Sequence, residues 1–536
     1  MTRDITMSAW LNTPIKTGSF CTLSISRCSG ISVRQPLKLF LVAWLSILTA
    51  VVLVACAPSA DGTLRIGLAN APVTLDPRFA TDATSSRINR LLYARLVEFN
   101  ELQLPIPGIA QWQRLSPTHY RFTLNNVDNG HGRDFHDGSL LTAKDVKATY
   151  EAVLNPQNAS PHRSTLSVIK RIDTPDDDTI DFYLNKADLL FPGYLVIGIL
   201  PAEKITEDHP FNQHPVGSGP FNFVAWPEHG RLQLQRRHDQ QRVSFIRVSD
   251  ATVRVLKLMR GEVDMLQNDI SPELVTYLDN KVDINVTRVK GSNFTYLGFN
   301  LEDEIAGNDD VRRAIGMAID RQAIIRYVMG GSARPASALL PPNHWAGNPA
   351  LAELKFNPQG ARELLAKHGY GPKHPLKITY KTSTNAFRMR LATVLQSQLK
   401  DVGIEVDLRS YDWGTFYGDI KTGNFQMYSL SWVGIKTPDI FRYVFHSESV
   451  PPNGANRGRY KNLEADRLIN LAGSAATLAA QASAYRKLQR QLLSTLPYVP
   501  LWYEDHVFIA KKGIKGYTLS SDGSYDGLIT VQMRKK

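Results

Sequence analysis

The chain has 536 residues, 43% of them hydrophobic, and a formal net charge of +12; this length exceeds one hydrophobic core and predicts two or three domains. Lys and Arg are scattered, without a reading helix or aromatic platforms beside them, which argues against nucleic-acid binding. All three cysteines lie within the first 56 residues, so the rest of the chain can hold neither a disulfide nor a thiolate metal site.

An apolar run near the amino terminus predicts export and lipid anchoring. Residues 39–55 are almost wholly apolar, two basic residues precede them, and Cys56 follows directly after a small residue. This layout is typical of a lipoprotein signal, in which the cysteine receives acyl chains. We therefore expect residues 1–55 to be a leader and signal peptide, and residues 56–62 a lipidated tether. The alternative is an uncleaved signal anchor, because about 20 apolar residues span a bilayer.

Beyond this segment, short strands alternate with helices, which indicates mixed α/β domains. Period-two alternation predicts strands at Thr63–Leu68 and Tyr120–Leu124. Between them, apolar residues within Ile88–Leu96 share one helix face. Thr142–Asp145 resembles a capping box, which predicts the start of another helix.

The second half of the chain continues the same alternation. Acidic Asp309–Asp310 precedes apolar residues at the spacing of one helix face, which suits the amino terminus of a helix. Leu376–Tyr380 and Ile404–Leu408 read as strands, with a helix through Leu391–Val402 between them. Strand, helix and strand in this order predict a right-handed parallel crossover.

The chain lacks the common catalytic motifs, since it has no nucleophile elbow, zinc-protease helix, phosphate loop or complete dinucleotide fingerprint. Ser218, between two glycines, is interpreted as a turn residue. The histidine pairs His131/His136 and His209/His214 lack the i, i+4 spacing of helical metal ligands and are assigned to loops. His446 is kept as a candidate contact for a metal that arrives on a small chelator.

Aromatic residues are dense late in the chain. Half or more of them should form core, but Trp and Tyr in polar loops also suit a pocket that stacks on a ligand. This pattern favours binding over catalysis. The residues are Tyr411, Trp413, Phe416, Tyr417, Phe425, Tyr428, Trp432, Phe441, Tyr443 and Phe445.

Seven short segments, in order, resemble the family 5 extracellular solute-binding proteins, the oligopeptide, dipeptide and nickel receptors of ABC importers. The resemblance covers residues 60–530, and the segment Phe135–Val146 carries its most recognisable signature. Each segment alone is weakly specific, and their order makes the set specific. The segments are Leu75–Pro77, Phe135–Val146, Pro215–Phe221, Val311–Ala314, Ala318–Arg321, Ala361–Leu365 and Gln396–Gly403.

The resemblance implies an α/β fold of two lobes, the type II, cluster C-like periplasmic-binding-protein fold, with a small α/β domain inserted in the first lobe. Crossovers between the lobes are expected near Tyr296–Asn300 and Pro500–Tyr503. The implied divisions are lobe 1 at 63–100, 215–295 and 501–536, the inserted domain at 101–214, and lobe 2 at 296–500.

The resemblance also implies a ligand site between the lobes. The loop from Arg78 to Asp82 is expected to face the cleft from lobe 1, and the segment around Trp432 from lobe 2. The residues expected to contact ligand are Arg78, Phe79, Thr81, Asp82, Tyr296, Asn300, Tyr411, Trp413, Trp432, Gly434, Ile435, Lys436 and Asp439.

One position departs from the peptide-binding relatives. They carry a carboxylate shortly after the equivalent of Trp432, where it pairs with the peptide's ammonium, whereas this chain has Ile435 there. An ammonium buried against Ile435 would lack its partner, at a cost of several kcal/mol. Asp439 is a substitute if the loop shifts, and Lys436 instead suggests an anionic group on the ligand.

The resemblance and the lipoprotein signal together imply a lipid-anchored, extracytoplasmic substrate-binding protein, a monomer without catalysis or cofactor. It would deliver a peptide or peptide-like solute to an ABC permease and ATPase complex, without nucleic acid as a partner. A receptor for a metal chelate or another small nutrient is the alternative within this architecture. An extracytoplasmic hydrolase is the alternative from another class.

Overall fold

The computed structural model describes residues 62–125, 133–227 and 230–533. Cys56, the apolar run before it and His131 lie outside the described residues. The strands are β1 Leu64–Leu68, β2 Val97–Phe99, β3 Pro105–Pro107, β4 Ala110–Ser116, β5 His119–Leu124, β6 Ile169–Asp173, β7 Thr179–Leu184, β8 Phe221–Ala225, β9 Arg231–Arg236, β10 Arg242–Arg247, β11 Met265–Gln267, β12 Ile284–Phe299, β13 Ala333–Pro335, β14 Leu376–Ser383, β15 Ile404–Tyr411, β16 Met427–Trp432, β17 Tyr498–Lys511, β18 Ile514–Lys515 and β19 Gln532–Met533.

Helices cover the strands and fill the connections. The α-helices are α1 Ala83–Leu92, α2 Ala143–Leu154, α3 Arg163–Leu166, α4 Ala202–Thr206, α5 Ala251–Arg260, α6 Pro272–Asp279, α7 Asp309–Ala318, α8 Arg321–Ala323, α9 Pro358–Lys367, α10 Ala386–Lys400, α11 Trp413–Thr422, α12 Ile440–Phe445, α13 Leu463–Gly473 and α14 Leu478–Thr495. Short 3₁₀ turns lie at Pro156–Asn158, Phe191–Tyr194, Ser447–Ser449 and Asp526–Ile529, and a π turn at Ile324–Val328.

The elements predicted from periodicity are confirmed. β1 and β5 match their predicted strands to within one residue, and α2 begins after Thr142, whose backbone N–H donates to the Asp145 carboxylate at 2.7 Å. α10 joins β14 to β15, which pair in parallel as the crossover requires. The face predicted within Ile88–Leu96 belongs to α1 up to Leu92, while Leu96 is buried beyond its end.

Two long antiparallel strands, β12 and β17, run through the middle of a mixed sheet of eleven strands among the described residues. On one side, β11 pairs with the carboxyl end of β17 and continues into β1, β10, β9 and β8; we name these five strands the amino half sheet. On the other side, β16 pairs with the carboxyl end of β12 and continues into β14 and β15, the carboxyl half sheet. The pair therefore joins the two half sheets.

The register of β12 on β17 shifts between Thr295 and Tyr296, at the first expected crossover, and the pairing is interrupted between Val289 and Asn293. At this point Arg334 donates to the carbonyl of Gly291 at 2.6 Å and to the carboxylate of Asp505 at 2.5 Å. The crossovers expected near Tyr296–Asn300 and Pro500–Tyr503 lie toward the carboxyl half sheet from this interruption.

Residues 101–214 contain a separate antiparallel sheet, in the order β4, β5, β7, β6. Its core is aromatic, and Phe122 meets Phe182 edge to face with ring centroids 5.4 Å apart. His136 fixes this part of the chain to the turn before β8, because its backbone N–H donates to the Gly217 carbonyl at 2.7 Å. A side chain at Gly217 would meet the Leu92 carbonyl at 2.0 Å, which explains a glycine in that motif.

Within the described residues, no helix has the length and apolarity that crossing a membrane requires.

Candidate binding site

A cavity of ≈ 650 Å³ lies between the elements of the two half sheets. Its volume falls within the range of small-molecule sites. One wall comes from α1, the loop 193–198 and the turn 522–524, and the opposite wall from the segment 432–440, which leaves β16 and enters α12. A bound molecule would therefore touch both halves of the fold.

The cavity brings together part of the predicted site. Trp432, at the end of β16, presents its ring there, and its indole Nε1 has no hydrogen-bond partner. The guanidinium of Arg457 lies 4.9 Å from the Trp432 ring on another side, which helps to fix the indole. The predicted residues that line the cavity are Thr81, Trp432, Gly434, Ile435, Lys436 and Asp439.

The other predicted contacts in the first loop have structural roles. Arg78 pairs with Asp76 at 2.7 Å and lies 5.5 Å from the Phe79 ring. Asp82 caps α1 by accepting from the Ser85 N–H at 2.9 Å. None of Arg78, Phe79 and Asp82 lines the cavity; their contacts shape the loop that carries Thr81.

The remaining predicted contacts lie away from the cavity wall. Tyr296 is fully buried and stacks on Tyr498 with ring centroids 3.9 Å apart. The side chain of Asn300 donates to the Gly423 carbonyl at 3.2 Å. Tyr411 packs at the margin of the core, and Trp413 is 59% exposed at the start of α11. Five of the ten late aromatic residues are thus buried core, and Trp432 and Tyr443 are the members on the cavity wall.

Lys436 is not a free cation. Its Nζ donates to the carboxylate of Asp522 on the opposite wall, and its backbone carbonyl accepts from the imidazole of His344 at 3.0 Å. The Lys436 ammonium and the hydroxyl of Ser520 hold the pKa of Asp522 well below its usual range despite burial. The two walls are therefore bridged by an ion pair that stays charged over the physiological pH range.

Asp439 lies in a different environment. Burial, together with the nearby carboxylate of Asp188, raises its pKa to about 6, although the hydroxyl of Thr437 donates to it. Asp188 in turn accepts from the Tyr194 hydroxyl at 3.2 Å, and its own pKa is raised by burial. Within the described residues, neither carboxylate has a cation within 4 Å, so this part of the site lacks a positive partner.

Several wall residues escaped the sequence argument. Asn89 is 6% exposed, and neither its side-chain nitrogen nor its oxygen has a partner. The Oγ of Ser524 is likewise buried without one. A usable signal was the polar stripe of Ser86, Arg87 and Arg90 along α1, opposite its apolar face. By contrast, Asp522 and Ser524 come from one sequence-distant turn that gave no signal.

His446 is buried and lies off the cavity. Its Nδ1 accepts from the Glu448 N–H at 3.2 Å, and Asp466 lies 3.9 Å from its Nε2. The described part of the chain contains no cluster of three or more metal-ligating side chains. His162 instead lines the cavity, where burial lowers its pKa and its Nε2 lies 3.1 Å from the Ala80 carbonyl.

We expect Asp439→Asn to stabilise the protein at neutral pH but not at pH 4. The raised pKa means that the carboxyl is protonated at low pH, and the stability of the wild type falls as pH rises through about 6. The melting temperature of the variant minus that of the wild type should grow by about 2–3 °C between pH 4 and pH 7. Asp188→Asn should move this window to lower pH. A difference that is constant with pH would contradict the assignment.

Comparison with known proteins gives the family. The model of bacterial extracellular solute-binding proteins, family 5 Middle, matches residues 106–451. The chain is 25% identical over 501 residues to the oligopeptide-binding protein AppA of Bacillus subtilis, covering 86% of this chain and 89% of that protein. It is 27% identical over 516 residues to heme-binding protein A of Haemophilus influenzae, covering 89% and 93%.

A solved structure extends this likeness to the fold. The ABC transporter-associated periplasmic binding protein DppA from Helicobacter pylori, in complex with the peptide STSA, superposes with a TM-score of 0.75 at 25% identity and covers 88% of this chain and 98% of that one. The two-lobed α/β fold expected from the sequence is thereby confirmed, and these relatives are binding proteins rather than enzymes. The chain belongs to the family 5 bacterial extracellular solute-binding proteins.

Proposed function

We propose that this protein is the substrate-binding component of an ABC importer and that it captures a peptide or peptide-like solute between its two lobes. The observation that carries the proposal is the cavity walled by both halves of the fold, in a chain similar to an oligopeptide-binding protein and to a peptide-bound DppA. The protein acts as a monomer on the extracytoplasmic side and delivers the solute to a permease and ATPase complex.

Capture works through closure about β12 and β17. A solute that contacts both walls binds the closed arrangement better than the open one, so its binding shifts the population toward closure. Lys436 and Asp522 are in contact across the cleft, and closure about β12 and β17 would bring them together. In this proposal residues 63–100, 215–295 and 501–536 form lobe 1, residues 101–214 are an insertion in it, and residues 296–500 form lobe 2.

The carboxylate of Asp439 on the cavity wall, with Asp188 near it, supports a solute with an amine. Ile435 occupies the position where peptide-binding relatives are expected to carry their carboxylate, but Asp439 lies four residues later on the same wall. An ammonium beside Asp439 would supply the positive charge that Asp439 and Asp188 lack and would favour the ionised carboxylate. Trp432 would stack on the adjoining part of the solute.

A metal chelate is the second candidate, supported by the 27% identity to a heme-binding protein and by His162. Its lowered pKa keeps the imidazole neutral, and its Nε2–H donates to the Ala80 carbonyl, so Nδ1 keeps its lone pair. Neutral imidazole is a common ligand of transition metals. In this alternative, His162 would contact a metal carried by the solute.

Native and denaturing mass spectrometry of purified protein tests the proposal. A set of peptide masses released on denaturation is expected, while one metal-containing adduct would favour the second candidate. Trp432→Ala should weaken retention by about 1–3 kcal/mol without loss of melting temperature. Trp413→Ala, an exposed tryptophan off the cavity, is the matched control and should retain solute. An empty protein that also captures nothing from a peptide pool would contradict the proposal.

The lipid anchor is a separate proposal, supported by the apolar run that ends at Cys56. Cys56→Ser should move the folded protein from the membrane fraction to the soluble fraction, because two or more acyl chains are needed for stable anchoring. Cys21→Ser and Cys28→Ser are matched controls that should stay in the membrane fraction. A Cys56→Ser protein that remains with membranes would support an uncleaved signal anchor instead.

A further inference from the structure

The cavity carries an arginine whose charge is not neutralised. The other cations on its wall are paired: Arg90 with Asp526 and Glu98, Arg95 with Glu98, and Lys436 with Asp522. Arg87, among the described residues, has no carboxylate oxygen within 4 Å. A guanidinium held at a cavity wall without an acid is ready to bind an anion.

Arg87 is held in place by the turn that follows Asp522. Its guanidinium lies 5.7 Å from the ring centroid of Tyr525. A Cβ at Gly523 would lie 3.0 Å from the Arg87 Nη2, and Gly523 has a φ of +70°. The positive φ favours glycine at this position, and the His506 Cε1, at 2.9 Å from the same Cβ, limits the space further.

A second donor lies in the same turn. Ser524, between the two residues that Arg87 approaches, is 3% exposed and lines the cavity, and its Oγ has no hydrogen-bond partner. A buried hydroxyl without a partner costs free energy that a ligand atom can recover. Asp522 does not occupy this site, since Lys436, Ser520 and the Ser524 N–H already bind its carboxylate.

We infer that Arg87 and Ser524 form a subsite for a carboxylate group of the solute. The planar guanidinium binds a carboxylate through two parallel N–H donors, and the hydroxyl adds a third donor. The inference rests on the proposed function and specifies the solute further: it carries a carboxylate toward lobe 1, while Asp439 on lobe 2 faces its amine. The sequence suggested that Lys436 contacts an anionic group of the solute, and this contact is assigned instead to Arg87.

Two peptide pools of identical sequence composition, one with free carboxyl termini and one with carboxyl-terminal amides, test the subsite. The full protein, purified in detergent, is incubated with each pool, and retained peptides are counted by native mass spectrometry. The wild type should retain peptides with free carboxyl termini about tenfold or more over amidated peptides, because the amide loses hydrogen bonds that a charged carboxylate makes. Arg87→Met should abolish this preference, and Ser524→Ala should reduce it.

Arg326→Met is the matched control. Among the described residues, Arg326 also has no carboxylate within 4 Å, and its guanidinium lies 5.9 Å from the Tyr327 ring. Unlike Arg87, it is exposed and does not line the cavity. The Arg326→Met variant should keep the preference for peptides with free carboxyl termini. An unchanged melting temperature identifies variants that have folded. The Arg87→Lys variant keeps the charge but not the planar guanidinium, and it should keep part of the preference.

Equal retention of both pools by the wild type would overturn the subsite and leave peptide capture intact. An Arg87→Met variant that still prefers free carboxyl termini would do the same. Capture of neither pool would count against the peptide function, not against the subsite. Acetate and inorganic phosphate then decide the subsite: a rise in melting temperature that wild type shows and Arg87→Met lacks supports it, and no rise in wild type overturns it.

Discussion

The antiparallel pair of β12 and β17 is the constraint on which the rest of the structure depends. All strands of the amino half sheet attach to it through β11, and those of the carboxyl half sheet through β16. Its register is interrupted near Gly291 and shifts again between Thr295 and Tyr296, so a few residues there are free of regular pairing and could absorb a rotation. Partly buried Glu504, beside this interruption, accepts hydrogen bonds from Arg388 at 2.7 Å and from Thr295 at 2.7 Å, whereas the Asn293 Oδ1 and the His506 Nε2 are buried there without a hydrogen-bond partner.

Charge pairing decides which groups in the cavity remain free for a solute. Lys436 and Asp522 form an ion pair between opposite walls. Among the described residues of the cavity wall, two charged side chains of opposite sign remain unpaired. Arg87 lies on the wall that contains α1, and Asp439 lies on the opposite wall. In the proposed mechanism, a solute with both an amine and a carboxylate would contact both walls and would stabilise the closed state better than a solute with a single charge.

Local patterns predicted much of the fold but less of the site. Periodicity located α1, α2 and the β14–α10–β15 crossover because these depend on neighbouring residues. The resemblance pointed to Trp432 and the segment after it, which do line the cavity. The resemblance also pointed to Tyr296 as a ligand contact, but Tyr296 lies in the core. Position along the sequence does not show which face of a buried strand is turned toward a cavity. Asp522 and Ser524 were missed because only the tertiary fold brings this turn beside α1.

The most direct test of closure is a distance measurement between two spin labels, one on each lobe. The chain beyond Cys56 has no cysteine, so Val73→Cys and Leu463→Cys, at positions 79% and 89% exposed, can be labelled selectively in a Cys56→Ser background that also lacks Cys21 and Cys28. Saturation with the solute recovered from the protein should narrow the distance distribution and change its mean, as closure about β12 and β17 requires. A distribution identical with and without bound solute would contradict the account.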